Sequence, residues 1–468
     1  MKREIINLIF FVLFAVTVGA YPISDEVIRL LPMKIDNITK SVSLQNQDLT
    51  LSGKDESFTN GISDDLKNLI GVLESVEDMF KSTVPKESLQ SVTEFIKYWK
   101  GVFTSDVLKL TLLNITQLII EGHGIEYILS DFSGKINSFN NTNTEEPKFE
   151  IYPSYNNDDA PYSFTEKELR GALYIPSTFE YGKGDKKIVL FVPGTGTYGG
   201  NTFHSNYIKL LNNTDFADPV WLNIPNHLMS DAQGNAEYVA YAVNYISSIT
   251  DNHNVSVISW SQGGLDVQWA LKYWPSTRKR VSNFIPISPD FLGTKMAFLI
   301  CPNYPDVPCS PSVLQQKYDS LFVRTLRDDG GDSAYVPTTS IYSGFDEIVE
   351  PQSGNNASAI LKDNRNVGVG NFQFQKLCPN GTAGRYYTHE GALYNPVGYA
   401  LAADAIKNGG PGRTSRIDLE RLCKEAFAEG LNGDDVATTE LDLLYAAFYL
   451  IFLNKVNHEP EIKKYAQH

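Results

Sequence analysis

A possible nucleophile opens the reading. Ser261 stands in Ser259-Trp260-Ser261-Gln262-Gly263-Gly264, after an apolar run of strand length (Val255, Val257, Ile258) and before a segment that sets Val267, Ala270, Leu271 and Trp274 along one helical face. A serine on a sharp turn from strand to helix has its hydroxyl thrust out above a sheet, where it can attack a carbonyl. Such a turn crowds Cβ, so small residues are needed two positions away on either side; Gly263 and Ser259, the latter in place of the usual glycine, meet that need. A Ser/Gly-rich loop without chemistry fits the same residues, and the partners decide between the two.

An activated serine of this kind needs a base and an acid that orients the base, arriving downstream in the order acid, then histidine. After Ser261 the histidines are His389, His458 and His468; the last is the terminus and His458 lies in a polar tail, which leaves His389. The β-rich stretch Thr338 to Ser343 runs into Gly344-Phe345-Asp346-Glu347-Ile348-Val349 and places two carboxylates just past a strand end. Spacing does not choose between Asp346 and Glu347. His204, His227 and His253 are scattered as structural or surface residues are, so neither a metal nor a cofactor is expected.

The elements that must hold these residues follow an α/β pattern. Lys187 to Val192 is a continuous apolar strand of the kind buried on both faces, broken by Pro193-Gly-Thr-Gly-Thr-Tyr-Gly-Gly200. That loop lacks the Lys-Ser/Thr ending of a phosphate loop and the full Gly-x-Gly-x-x-Gly of a dinucleotide site; in a hydrolase it lies where an oxyanion hole needs one of its donors. Alternating strands and helices continue through Val220 to Leu222, Ala236 to Ile249 and Val255 to Ser259, which predicts a mostly parallel sheet flanked by helices.

Upstream, Lys2 and Arg3 precede an apolar run from Ile5 to Val18 and the small residues Gly19 and Ala20, the pattern of a secretory signal over residues 1–20 and too short to span a membrane. Leu441 to Leu453 comes nearest to a span later on, and Asp442 interrupts it. Residues 21–137 carry helical stripes: Ile62, Leu66, Leu69, Ile70, Leu73, Val76 and Phe80, then Leu89, Val92, Phe95, Ile96 and Trp99, then Val107, Leu110, Leu113, Leu118 and Ile119. They read as a pro- or cap-like region that shields a site, or as an accessory bundle. An Asn/Thr/Glu-rich stretch then opens a linker, taken as 138–160, before a hydrolase domain over 161–468. Export is further suggested by seven Asn-x-Ser/Thr acceptors (Asn37, Asn114, Asn140, Asn212, Asn254, Asn356, Asn380) and by an even set of cysteines, Cys301, Cys309, Cys378 and Cys423, which suits two disulfides. A net charge of −15 argues against nucleic acid or anionic lipid as a partner.

Several blocks together resemble the Candida antarctica lipase B family of fungal α/β-hydrolase lipases. They are Val192-Pro-Gly-Thr-Gly-Thr197, Trp260-Ser-Gln-Gly-Gly264, Pro289-Asp290 with Gly293-Thr294, Val336-Pro-Thr-Thr339, Asp346-Glu-Ile-Val349 with Pro351-Gln352, and His389, in the family's order and spread over roughly residues 186–465. The resemblance implies an α/β-hydrolase fold with Ser261 as nucleophile, Asp346 as acid and His389 as base. It also implies an oxyanion hole from Thr195 and Gln262, Thr197 as a wall of the pocket, Trp260 as floor of the alcohol side, and Asp290 as a polar group near the acyl side. Cys378 and Cys423 match one disulfide of the family, which leaves Cys301 and Cys309 to close a short local loop in the segment that forms a mobile rim in relatives. Val220 and His458 stand where the family has other cysteines, and the family's small-residue C-terminal helix becomes the bulkier Leu443, Leu444, Tyr445, Phe448, Tyr449 and Phe452. The helical region before Asn137 has no counterpart there.

The expected function is a secreted serine lipase or carboxylesterase that hydrolyses acyl esters, triacylglycerol-like ones included, with an ester or lipid at a lipid–water interface as partner. An acyltransferase using the same three residues is the nearest alternative. A non-catalytic exported binding protein on a hydrolase scaffold is the more distant one, against which the complete set of Ser, Asp and His and the Gly-Thr-Gly loop both speak.

Overall fold

The computed structural model describes residues 135–467, apart from 213, 302–304, 306–307, 441 and 454. The signal segment, the helical stripes before Phe132 and the acceptors Asn37 and Asn114 lie outside the described residues.

Among the described residues seven strands form one sheet: β1 (Leu173–Tyr174), β2 (Lys187–Val192), β3 (Ala217–Leu222), β4 (Val255–Trp260), β5 (Val281–Ile287), β6 (Thr338–Tyr342) and β7 (Val369–Gln373), in the spatial order β1-β3-β2-β4-β5-β6-β7. Only β1 runs antiparallel to its neighbour. Parallel strands need long crossovers, and the helices that supply them cover both faces of the sheet. Side chains alternate accordingly along β2. Ile188, Leu190 and Val192 enter a core with α1 (Ala232–Ile249) and α2 (Gly263–Tyr273) that includes Tyr245, Ile246, Val267, Leu271 and Trp274. Val189 and Phe191 enter the opposite core with Phe203, Tyr207 and the Val397, Leu401 and Ala405 face of a later helix. The helical face read from the sequence after Ser261 is thus a core face, and the fold is the expected α/β-hydrolase sheet.

Strand order sets the place for chemistry. From β2 the chain goes outward to β3 and then returns across β2 to β4, so the order reverses between β2 and β4. In open parallel sheets a crevice forms at such a reversal, beyond the carboxyl ends of the strands. The register aligns those ends, with Val192 beside Ser259, Trp260 beside Ile287, and Ile287 beside Ile341. The loops after β2, β4, β5 and β6 therefore open on one edge, and they carry Thr195, Ser261, Asp290 and Asp346.

The coil before the sheet is packed along it. Asn143 Nδ2 donates to the carbonyls of Arg170 (3.0 Å) and Leu173 (2.7 Å), the Tyr245 hydroxyl to Glu145 O (2.7 Å), and the Lys148 amide to Ser248 Oγ (2.7 Å), while Ile151 is buried in the first core. The C-terminal coil packs similarly: Ile462 is buried, and Lys463 pairs with Glu237, a fully buried acid in the middle of α1 that also accepts from the Ser163 amide and hydroxyl. A charge inside a core persists only with such partners.

Cys301 is bonded to Cys309, and Cys378 to Cys423. The second bridge closes a loop with a sequence separation of 45 that contains His389. Replacing both Cys378 and Cys423 by Ser should lower the unfolding free energy by about 3–4 kcal/mol, the chain-entropy value for a loop of that size. Urea denaturation against the parent chain measures it, and an unchanged midpoint would show that the bridge constrains little.

Candidate active site

Ser261 follows the last residue of β4 and has φ of 54°, a left-handed conformation that residues with a side chain avoid. Its surroundings leave no alternative path. The Ser261 amide donates to Ile287 O on β5 (3.0 Å), and its carbonyl accepts from the Gly264 amide (2.8 Å) in the first turn of α2. A Cβ on Gly263 would lie 2.4 Å from Pro193 O and 2.7 Å from Val192 O, and one on Gly194 would lie 2.9 Å from the Ser261 Cβ. Both glycines are therefore required for the β2 loop and the start of α2 to close on this turn. Ser259, the residue in place of a third glycine, faces no such contact and is simply buried.

His389 lies in the loop between β7 and α4 (Pro396–Asn408), and its backbone is held from both sides. The amide donates to Glu347 Oε2 (3.0 Å), while the carbonyl accepts from Trp260 Nε1 (3.2 Å) and Ser288 Oγ (3.3 Å). Its ring lies 4.9 Å from that of Trp260, the residue before Ser261, and its Nδ1 is 2.8 Å from Asp346 Oδ2. Among the described residues Nε2 has no hydrogen-bond partner. Asp346, fully buried, is anchored in turn, because its Oδ1 accepts from the amides of Ile348 (3.0 Å) and Val349 (2.7 Å). The two neighbouring acids thus divide the histidine between them: Asp346 holds the ring and Glu347 the backbone. Spacing in the sequence could not separate these roles.

On the loop after β2, Thr195 is the one partly exposed residue between Pro193 and Gly200. Its hydroxyl donates to Gln262 Oε1 (2.7 Å) and accepts from Gln316 Nε2 (2.9 Å), which also donates to Gln262 Oε1 (3.0 Å). Gln316 immediately follows α3 (Pro311–Gln315) and was not legible in the sequence, where nothing distinguishes it from a surface glutamine. Gln262 is the N-cap of α2, so its amide is among the donors that a helix start leaves without intrahelical acceptors. Thr197 is fully buried, its hydroxyl donating to Gly194 O (3.0 Å) and accepting from Thr202 (2.8 Å) inside the loop.

A second strained turn supports both halves of this arrangement. Asn226, His227 and Leu228 are all left-handed (φ 58°, 54° and 57°), and their carbonyls are used: His227 O accepts from the Gly196 amide (2.8 Å) and Leu228 O from Gln262 Nε2 (2.9 Å). The His227 ring is stacked between Tyr198 (3.8 Å) and Tyr449 (3.6 Å), with Nε2 3.3 Å from the Tyr445 hydroxyl. Burial lowers its pKa to about 3, so the ring is neutral near neutral pH. Of the histidines assigned to structural or surface roles, His227 is structural; His204 and His253 are exposed.

Asp290, after β5, is fully buried, and neither carboxyl oxygen has a hydrogen-bond partner among the described residues. Burial, with Asp346 nearby, pushes its pKa up to about 8, its own amide offsetting part of this. Asp266 on α2 is also fully buried and is held well above the usual carboxylate range by burial and by Asp290. An acid whose proton is retained in the folded state up to about pH 8, and lost from the unfolded chain near pH 4, costs stability as pH rises between the two. Asp290→Asn removes that loss. The unfolding free energy of the variant relative to the parent should therefore increase from about pH 5 to about pH 8, by up to about 1.4 kcal/mol per pH unit. Denaturant titrations at several pH values test this, and a constant difference would mean that Asp290 ionises as an exposed acid does.

Comparison with known proteins places this geometry. The chain is 33% identical over 286 residues to lipase B of Pseudozyma antarctica, a match that covers 60% of this chain and 79% of that protein. The crystal structure of Aspergillus fumigatus lipase B superposes with a TM-score of 0.72 at 44% identity, covering 85% of this chain and 96% of that one. No family model matches the sequence. With the sheet, the loops on its carboxyl edge and these two likenesses in agreement, the chain belongs to the lipase B family of fungal carboxylic ester hydrolases, built on the α/β-hydrolase fold.

Proposed function

We propose that this hydrolase is a secreted serine lipase or carboxylesterase that cleaves acyl esters through an acyl-enzyme, with Ser261 as nucleophile, His389 as general base and Asp346 as the acid that orients it. The observation that carries the reading is the combination of a left-handed Ser261 beside Trp260 with a His389 ring whose Nδ1 is bound by an anchored carboxylate, which leaves Nε2 to face the reaction. With Nδ1–H donating to Asp346, the Nε2 lone pair takes the Ser261 proton as Oγ attacks the ester carbonyl. The tetrahedral oxyanion is met by the amides of Thr195 and Gln262 and by the Thr195 hydroxyl, which turns from Gln262 Oε1 toward it. Collapse expels the alcohol with the proton from Nε2. Water, deprotonated by the same nitrogen, then releases the acid and restores Ser261.

In this reading Trp260 floors the alcohol side, Thr197 is a wall of the pocket, and Asp290 lies toward the acyl side. Residues 1–20 are a signal peptide, 21–137 a pro- or cap-like region, 138–160 a linker, and 161–468 the catalytic domain. Secretion is supported by the two disulfides and by the exposure of every described glycan acceptor, Asn140, Asn212, Asn254, Asn356 and Asn380. No helix among the described residues is long and apolar enough to cross a membrane.

Ser261→Ala should abolish both hydrolysis of p-nitrophenyl esters and labelling by a fluorophosphonate while leaving thermal stability near that of the parent; labelling retained at another serine would move the nucleophile elsewhere. Thr195→Val keeps the β-branched shape but deletes the hydroxyl, and kcat should fall roughly a hundred- to thousandfold, the usual cost of one oxyanion donor. Thr197→Val cuts bonds internal to the loop instead, so it should lower the melting temperature more than kcat. Equal losses of kcat from the two changes would remove the Thr195 hydroxyl from the mechanism.

A further inference from the structure

Around the loop that carries His389 lie three acids that the mechanism does not use. Glu347 comes from the loop after β6, Glu390 follows His389, and Glu440 is the last residue of α5, a helix over Gly433–Glu440. Glu440 Oε1 accepts two hydrogen bonds from the histidine loop, from Thr388 Oγ1 (2.7 Å) and from the Tyr394 hydroxyl (2.8 Å). The Thr388 oxygen accepts in turn from the Gly391 amide (2.8 Å). Residues on both flanks of His389 are thereby tied to a single oxygen of a distant helix, and the His389 amide is tied to Glu347. Glu347 Oε1 and Glu390 Oε2 are buried and have no hydrogen-bond partner among the described residues.

Glu390 is buried, and Glu347 and Glu440 are half-buried. Burial raises all three above the usual carboxylate range; Asp346 and Glu440 add to the rise at Glu347, and Glu347, Glu440 and Asp442 add to it at Glu390. The other titratable groups that face them are the His389 ring and the hydroxyls of Tyr386 and Tyr394, the hydroxyls also raised by burial and by these same carboxylates.

We propose that Glu440 is a positioning residue for the hydrolysis, holding the His389 loop from both flanks through Thr388 and Tyr394. The inference rests on the reading of His389 as the base. Because both donors converge on one oxygen, Gln at position 440 can still accept from each, whereas Ala cannot.

The test is kcat and KM for a short p-nitrophenyl ester, with melting temperature, in the full-length parent, Glu440→Gln, Glu440→Ala and His389→Ala. Glu440→Ala is expected to lose about ten- to hundredfold in kcat near neutral pH, the scale of a displaced catalytic group, with KM within about twofold. Glu440→Gln, whose amide oxygen can still accept from both Thr388 and Tyr394, is expected to keep kcat near the parent value and so to rescue the loss seen with Ala. If Glu440→Ala folds poorly, Tyr394→Phe, which deletes one donor alone, is expected to lower kcat several-fold at unchanged KM. Parent-like kcat in Glu440→Ala, or equal losses in the Gln and Ala variants, would overturn the proposal. His389→Ala separates the two readings: an inactive variant beside a parent-like Glu440→Ala sinks only the positioning role, while an active one removes the base and the positioning role with it.

Discussion

The left-handed backbone at Ser261 is the constraint to which much of the surrounding structure answers. Holding a residue with a side chain there costs on the order of 1–3 kcal/mol, so the conformation survives only because its neighbours permit no other. A buried strand fixes the chain on one side, a helix starts at once on the other, and Gly194 and Gly263 let the β2 loop close against both. The same tight closure brings the loop of Thr195 beside the first turn of α2. The strained turn at Ser261 and the close packing of the β2 loop on the start of α2 thus depend on each other. Parallel register then aligns the neighbouring strand ends, so the loops after β5 and β6 open on the same edge.

Electrostatics in the site are organised by burial. Asp346 keeps its place because two amides and the imidazole satisfy its oxygens, while Asp290, Asp266, Glu390 and the half-buried Glu347 have fewer partners and are pushed toward the neutral form.

One departure from the family pattern, the bulky C-terminal helix, bears directly on the site. The helix α6 (Asp442–Phe452) follows α5 almost directly; its Tyr445 and Tyr449 embrace His227, and Ala446 lies where a Cβ on Gly196 would come within 2.6 Å of its own. Large aromatic residues therefore bear on the turn that carries the Gly196 amide and the Gln262 side chain. Bulky residues on this helix also determine what the loop after β2 rests against.

Local patterns made much of this chain readable in advance. Strand β2, the strand, turn and helix around Ser261, and the helical face of Val267, Leu271 and Trp274 depend on periodicity and turn chemistry within short windows, and the structure has those elements at those residues. Other assignments came with the family resemblance: Asp346 over Glu347, and Thr195 as a donor. What only the tertiary structure decided are pairings between residues far apart in sequence: Asp346 with His389 at a separation of 43, Thr388 with Glu440 at 52, and Thr195 with Gln316 at 121. A glutamate or glutamine has the same local pattern whether it faces water or a buried histidine loop. The difference lies in which strand ends and helices the fold brings together, and no window of sequence contains that information.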